Sequence, residues 1–325
     1  MSFSLASIQH NGKVVAALRT NDRFWPLKAV ANELGIVGLP DSLIDIFTNW
    51  MQTRSPITKI YEAISKDALP LNLSLVQDKA QLAIPLGYPR KVFCTGANYA
   101  DHLAEMGVHM EKVEGRAPFF YMKPASTALT GPGKTVHIPS GCTDFDWEVE
   151  VVIVFGRSGR NIPAESALDY IAGYTLGIDF SARDLFDAPH LPFKYDFTLG
   201  KCQDRTAPIG PVIVPKEFVD LENIDFTLAV NGVTKQASST SHMIYSLAEQ
   251  IAGISKAVQI EAGDILFTGS PAGVGASRGE SLNIGDSVVA ESLPTGPMEI
   301  IIQAPLTEAA EILTPLQLFG SLHSL

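Results

Sequence analysis

Apolar residues recur with two different periods along this chain, and the change of period divides it. The opening stretch SLASIQHNGKVVAALRTNDRFWPL alternates with a period of two and reads as a hairpin, with Asn11-Gly12 as its turn. Helical spacing follows around residues 27–34, 42–51 and 56–66. Residues 82–90 contain Pro85 and Pro89 and read as a linker. From Lys91 onward the texture is short β-rich runs between glycines and prolines. KVFCTG, PFFYMK, AGYTLGIDF, DILFTG, DSVVAESL and MEIIIQ read as strands, and Asn231-Gly232 within DFTLAVNGVTKQ marks a second hairpin. NYADHLAEMG reads as a short helix closed by Gly107, residues 164–170 and 244–258 as further helices, and 124–132 as a loop. The pattern predicts an α+β, mainly β protein. It has a small N-terminal α+β unit at 1–88 and a larger unit at 89–325 that ends in a helical tail over 306–325.

The longest alternating run is residues 145–155, FDWEVEVVIVF, which reads as one unbroken strand. Phe145, Trp147, Val149, Val151, Ile153 and Phe155 fall on one face. Asp146, Glu148 and Glu150 fall on the other, which continues as Val152 and Val154. Glu148 and Glu150 are then about 6.7 Å apart, where like charges repel by roughly 2.5 kcal/mol at an effective dielectric near 20. A half-solvated antiparallel strand would tolerate such a stripe in water. Here the stripe runs straight into apolar residues, so the carboxylates border a core. Asp179, in GYTLGIDFSARD, is a third candidate. Carboxylate oxygens alone select a hard divalent ion, Mg²⁺, Mn²⁺ or Ca²⁺, over zinc.

Composition narrows the function classes. With 46% hydrophobic residues the 325-residue chain has material for a full core. A net charge of −11 without a basic block leaves nucleic acid an unexpected partner. Even VVIVF is far too short to span a membrane. MSFSLASIQHNGK lacks a basic region followed by an apolar stretch, so no signal peptide is expected. Cys94, Cys142 and Cys202 are odd in number and scattered, as suits a reducing cytoplasm.

Six segments now stand in order: NYADHLAEMG, YMKP, DWEVEVVIVFG, GYTLGIDFSARD, LGKCQD and TGSPAGVG. This ordered set resembles the fumarylacetoacetate hydrolase family over roughly residues 91–303, and the first 90 residues resemble the small accessory domain of its longer members. The resemblance implies a mixed β-sandwich roll assembled as a homodimer. It implies that Glu148, Glu150 and Asp179 bind Mg²⁺ or Mn²⁺, leaving positions for a chelating 2-oxo acid and water. His102 and Glu105 lie three apart on one helix face. Alone such a pair is commonly a surface ion pair, but the match to the family's NYxxHxxE motif implies a water-activating dyad on a segment that acts as a lid. Lys123 and Lys201 match lysines lining the site, Lys123 with a catalytic role and Lys201 with a substrate-binding one. Thr268 and Gly269 match residues that bind the substrate carboxylate. Arg183 matches an arginine near the metal, although an ion pair to Asp184 or Asp146 explains it equally well.

One position departs from the pattern. Relatives that cleave acylpyruvates often carry glutamine three residues after the matched arginine, and here that residue is Phe186. The change removes a polar contact and favours an apolar tail or another reaction. The expected activity is metal-dependent hydrolysis of the C3–C4 bond of a 2,4-dioxo acid to pyruvate and a carboxylic acid. The same metal platform also supports oxaloacetate decarboxylation, 2-oxo acid isomerisation or tautomerisation, and sugar-acid dehydration. A non-catalytic metabolite-binding protein is a third reading, which the intact dyad and triad oppose.

Overall fold

The computed structural model describes residues 2–77, 80–110, 112–113 and 117–306. The helical tail expected over 306–325 lies, from residue 307 on, outside the described residues.

A 12-stranded sheet forms the backbone of the molecule. Its path runs Leu75–Val76, Arg23–Pro26, Lys13–Thr20, Ser4–His10, Ala207–Pro215, Ile171–Ile178, Val149–Phe155, Ile265–Phe267, Val92–Thr95 and Phe120–Lys123. The opening hairpin forms as expected, with positive φ at Asn11 (50°) and Gly12 (76°). A third strand, Arg23–Pro26, continues it, and Leu5 pairs with Ile213 to join it to the rest of the sheet. The expected linker begins instead with a strand, Leu82–Ala83, paired to Ser7 and Ile8. A second sheet of five strands carries the Asn231-Gly232 hairpin, Asp225–Val230 with Val233–Ser239. It continues through Ser287–Ser292, Gly296–Gln303 and Thr135–His137.

The large sheet is covered on both faces, and the strand Val149–Phe155 shows how. Val149, Val151, Ile153 and Phe155 pack toward the five-stranded sheet with Phe226, Leu228, Val288 and Ile300. Val152 and Val154 pack with Leu27, Val30, Phe47, Trp50, Ile57 and Ile60, beneath the N-terminal helices. The acidic face of the strand therefore continues into a dry core. Those helices are Leu27–Glu33, Leu43–Thr48 and Trp50–Ser65. The last begins six residues before the expected start and holds Pro56 in its interior. The lost hydrogen bond is tolerated because Trp50, Thr53, Ile57, Ile60 and Ile64 bury one side of it.

The acidic strand is not continuous. Phe145–Asp146 pairs with Ser181–Ala182 as a separate two-stranded ribbon, and the main strand starts at Val149. The break has local causes. Asp146 Oδ1 accepts the Trp147 N–H at 2.7 Å, and Gln236 Oε1 accepts the Val149 N–H at 2.9 Å. Side chains satisfy donors that a ladder would otherwise use.

Candidate metal centre and active site

Glu148 and Glu150, at the start of the central strand, meet Asp179, just past the end of the neighbouring strand Ile171–Ile178. One carboxylate oxygen from each lies within 4.8 Å of the others, and all three residues are buried. The strand pairing brings them together, since Val149 stands opposite Ile178 and Asp179 N–H donates to Glu148 O.

Buried carboxylates need compensation. Lys201 Nζ donates to Glu148 Oε2 at 2.6 Å and to Asp179 Oδ2 at 2.9 Å. Arg183 Nη2 donates to Glu148 Oε1 at 2.6 Å, while its Nε reaches Asp146 Oδ2 at 2.8 Å. Arg183 thus pairs with Asp146 and also reaches Glu148 of the acid cluster, and Asp184 turns away to hold Thr143. Burial pushes the Glu148 carboxyl up, but Lys201 and Arg183 outweigh it and hold it well below the usual carboxylate range. The same pairing raises Lys201 and Arg183 against their burial. Lys123 lies behind Asp179, with its side chain fully buried, and its Nζ is 2.7 Å from Asp179 Oδ1. It also donates to the Lys201 carbonyl.

Glu150 is different. Among the described residues it has no ion-pair partner and accepts only the Gly269 N–H, at 2.6 Å. Burial, then Asp179 and Glu148, push its carboxyl well above the ordinary value. Asp179 Oδ1, close as it is to Lys123, accepts no aligned hydrogen bond. A third buried acid without a counter-ion and an oxygen without a donor are what a divalent cation between the three would satisfy. The residues present therefore fit a hard ion held by oxygen.

The dyad is assembled on the short helix Ala100–Glu105. His102 Nδ1 lies 2.9 Å from Glu105 Oε1. Glu105 Oε2 accepts the Gly273 N–H and the Ser277 hydroxyl, each at 2.9 Å. Burial raises the Glu105 carboxyl, yet the hydrogen bonds from His102, Gly273 and Ser277 outweigh it and leave it below its ordinary value. A carboxylate that stays ionised only accepts, so the proton sits on His102 Nδ1 and Nε2 is the basic nitrogen.

The glycine-rich turn after Ile265–Phe267 is engaged by the protein's own acids. Glu150 takes the Gly269 N–H, Glu105 that of Gly273, and Asp146 those of Gly275 and Ala276, at 2.6 and 3.1 Å. Thr268 Oγ1 donates to Val151 O at 2.8 Å. The donors expected to meet a substrate carboxylate, Thr268 and Gly269, are thus turned to protein acceptors here.

These groups line a cavity of about 420 Å³ that contains His102, Glu148, Glu150, Arg183, Phe186 and Lys201. One further lining residue escaped the sequence. Tyr121 donates its hydroxyl to Asp179 Oδ2, and its position in YMKP, two residues before Lys123, was the available signal. Asp146, the buried acid that ties Arg183 to the turn, was named in the acidic stripe and as one ion-pair partner for Arg183, but its bonds to Gly275 and Ala276 had no sequence signal.

Comparison with known proteins places this geometry in context. A model of the family described as "Fumarylacetoacetate (FAA) hydrolase C-terminal" matches residues 91–303. The mitochondrial oxaloacetate tautomerase Fahd2a of Rattus norvegicus is 35% identical over 218 residues, 66% of this chain and 67% of that protein. A fumarylacetoacetate hydrolase from the psychrophile Exiguobacterium antarcticum has the same fold, with a TM-score of 0.75 and 25% identity. That match covers 93% of this chain and 100% of the other. A fumarylpyruvate hydrolase from Pseudomonas aeruginosa, crystallised with Mn²⁺ and pyruvate, matches at a TM-score of 0.59 and 31% identity. The match covers 69% of this chain and 92% of that one.

Proposed function

The chain belongs to the fumarylacetoacetate hydrolase family, and from that premise we propose that it hydrolyses the C3–C4 bond of a 2,4-dioxo acid, releasing pyruvate and a carboxylic acid. The observation that carries this reading is that His102, paired with Glu105, lines the same cavity as Glu148 and Glu150 of the acid triad. Glu148, Glu150 and Asp179 would hold Mg²⁺ or Mn²⁺, which supplies Lewis acidity toward the oxygens of the 2-oxo acid. His102 Nε2 takes a proton from water, and Glu105 stabilises the imidazolium that results. The hydroxide adds to the C4 carbonyl. The C3–C4 electron pair stays with the pyruvate part, beside the positive charge of Lys201, and C3 regains a proton. Lys123 holds Asp179 in position. Arg183 does the same for Glu148, while Thr268 and Gly269 fix the floor of the head-group site. Residues 1–88 act as an accessory unit to 89–325, and the working assembly is a cytoplasmic homodimer.

The test is pyruvate release from acetylpyruvate with Mn²⁺, quantifying acetate and carbon dioxide, against a chelator control. Acetate and pyruvate in equal amounts, lost with chelator and in His102→Ala, are the expected result. Hydrolysis that persists in His102→Ala refutes the dyad's role.

A second reading, oxaloacetate tautomerisation or decarboxylation, is favoured by the similarity to the rat tautomerase. It predicts enol decay or carbon dioxide release from oxaloacetate and silence on acetylpyruvate.

A further inference from the structure

One wall of the cavity is built of rings, and it begins beside the acids at Tyr121. Phe119, Tyr121, Phe186, Tyr195 and Phe197 all line it. They form one connected array. Tyr121 meets Phe197 at 4.5 Å between ring centroids, Phe197 meets Phe186 at 5.4 Å, and Phe186 stacks on Tyr195 at 5.1 Å and 16°. Phe119 closes the other end, 5.7 Å from Phe197. The placement of Phe186 is fixed by its neighbour, because a Cβ on Gly200 would stand 2.3 Å from the ring. Only glycine leaves that room.

The charges lining the cavity point the same way. Its two permanent cations are committed, Arg183 to Asp146 and Glu148, and Lys201 to Glu148 and Asp179. Asp187, whose backbone bridges to Tyr195, adds a negative charge beside the rings. A carboxylate on a substrate tail meets only cations already held by the acids, and a like charge in Asp187. An aryl or alkyl tail finds π faces and edges at stacking distance.

Resting on the head-group site proposed above, we infer that the tail subsite takes an aryl or other apolar group and rejects an anionic one, so that aroyl- or alkanoyl-pyruvates are the substrate class and oxaloacetate is not.

The experiment is isothermal titration of the full chain with Mn²⁺ present, comparing phenylpyruvate with oxaloacetate. These share the 2-oxo acid head and differ in carrying phenyl or carboxylate. Phenylpyruvate should bind about tenfold tighter or better, the scale on which a hydrophobic pocket discriminates. Phe186→Gln should bring the ratio down toward unity. Tyr195→Ala should narrow it too, and Tyr195 is half exposed, so its loss leaves the core intact. Equal or tighter binding of oxaloacetate overturns the inference, as does a ratio untouched by both substitutions in protein that melts normally. The two proposals fail separately. Hydrolysis of acetylpyruvate with a reversed binding ratio sinks the tail assignment alone. The expected ratio without hydrolysis of any acylpyruvate sinks the reaction alone, and binding of neither ligand overturns both.

Discussion

Replacing Glu105 by glutamine exchanges one carboxylate oxygen for an NH₂ group and should reverse the histidine beside it. The carboxylate presents two acceptors, Oε1 to His102 Nδ1 at 2.9 Å and Oε2 to the Gly273 N–H and Ser277 hydroxyl at 2.9 Å each. An amide offers one acceptor and one donor. The Gly273 N–H cannot reverse its polarity, so the amide oxygen turns to the glycine-rich turn and the NH₂ faces His102. Nδ1 must then accept, which moves the ring proton to Nε2. A protonated Nε2 cannot take a proton from water. General-base assistance is worth about 10²–10⁴ in rate, or roughly 2.7–5.4 kcal/mol at 1.36 kcal/mol per tenfold. The kcat for pyruvate release at saturating Mn²⁺ should fall by that factor. The Mn²⁺ affinity should hold, because Glu105 touches none of the three acids. Nitrogen-15 spectra of the histidine ring report the tautomer directly. A kcat within about threefold of the parent, or a lost kcat with the proton still on Nδ1, refutes this reasoning.

Two further outcomes concern stability. Glu249 closes a capping box with Ser246 and pairs with Lys112; burial raises it, but these bonds leave it below its ordinary value. A carboxylate depressed by folding stabilises above its unfolded value and loses that contribution as the pH falls through the lower one. Melting of Glu249→Gln should therefore lie below the parent at neutral pH, by a cap's worth of about 1 kcal/mol or less. The two curves should converge below about pH 4, and a constant gap down to pH 2 would contradict it. Gly173→Ala would place a Cβ 2.3 Å from the Val214 carbonyl oxygen in the middle of the large sheet. Denaturant unfolding should show a loss of about 2–3 kcal/mol, and unchanged stability would rule out the Gly173↔Pro215 register.

The sequence disclosed most where local rules and burial agree. Asn11-Gly12 and Asn231-Gly232 carry positive φ at both residues and sit at the turns they predict. The period-two parity of 149–155 sorts its side chains between two cores as read. It disclosed least where side chains overrule the pattern. Ala207–Pro215 went unread because Pro208, Pro211 and Pro215 argue against a central strand, yet it joins the hairpin to the rest of the sheet. A register shift between Tyr174 and Leu176 accommodates it. The break at Trp147–Glu148 depends on Asp146 and on Gln236, which is 87 residues from the Val149 amide it accepts. The three acids could be grouped from one strand's parity and one motif. The assignment of Lys201 to two of them, and of Glu150 to none of the cations, follows from the fold alone.

The strand Val149–Phe155 is paired along both edges and buried at every residue. The helix Ala100–Glu105 buries only Leu103. The two halves of the site therefore belong to different units of local stability. Amide protons of Val151 to Val154 should exchange only when the whole molecule unfolds, while those around His102 exchange through a small opening that leaves the acids in place. An opening of that size would part the base from the acids without unfolding the strand that carries Glu150.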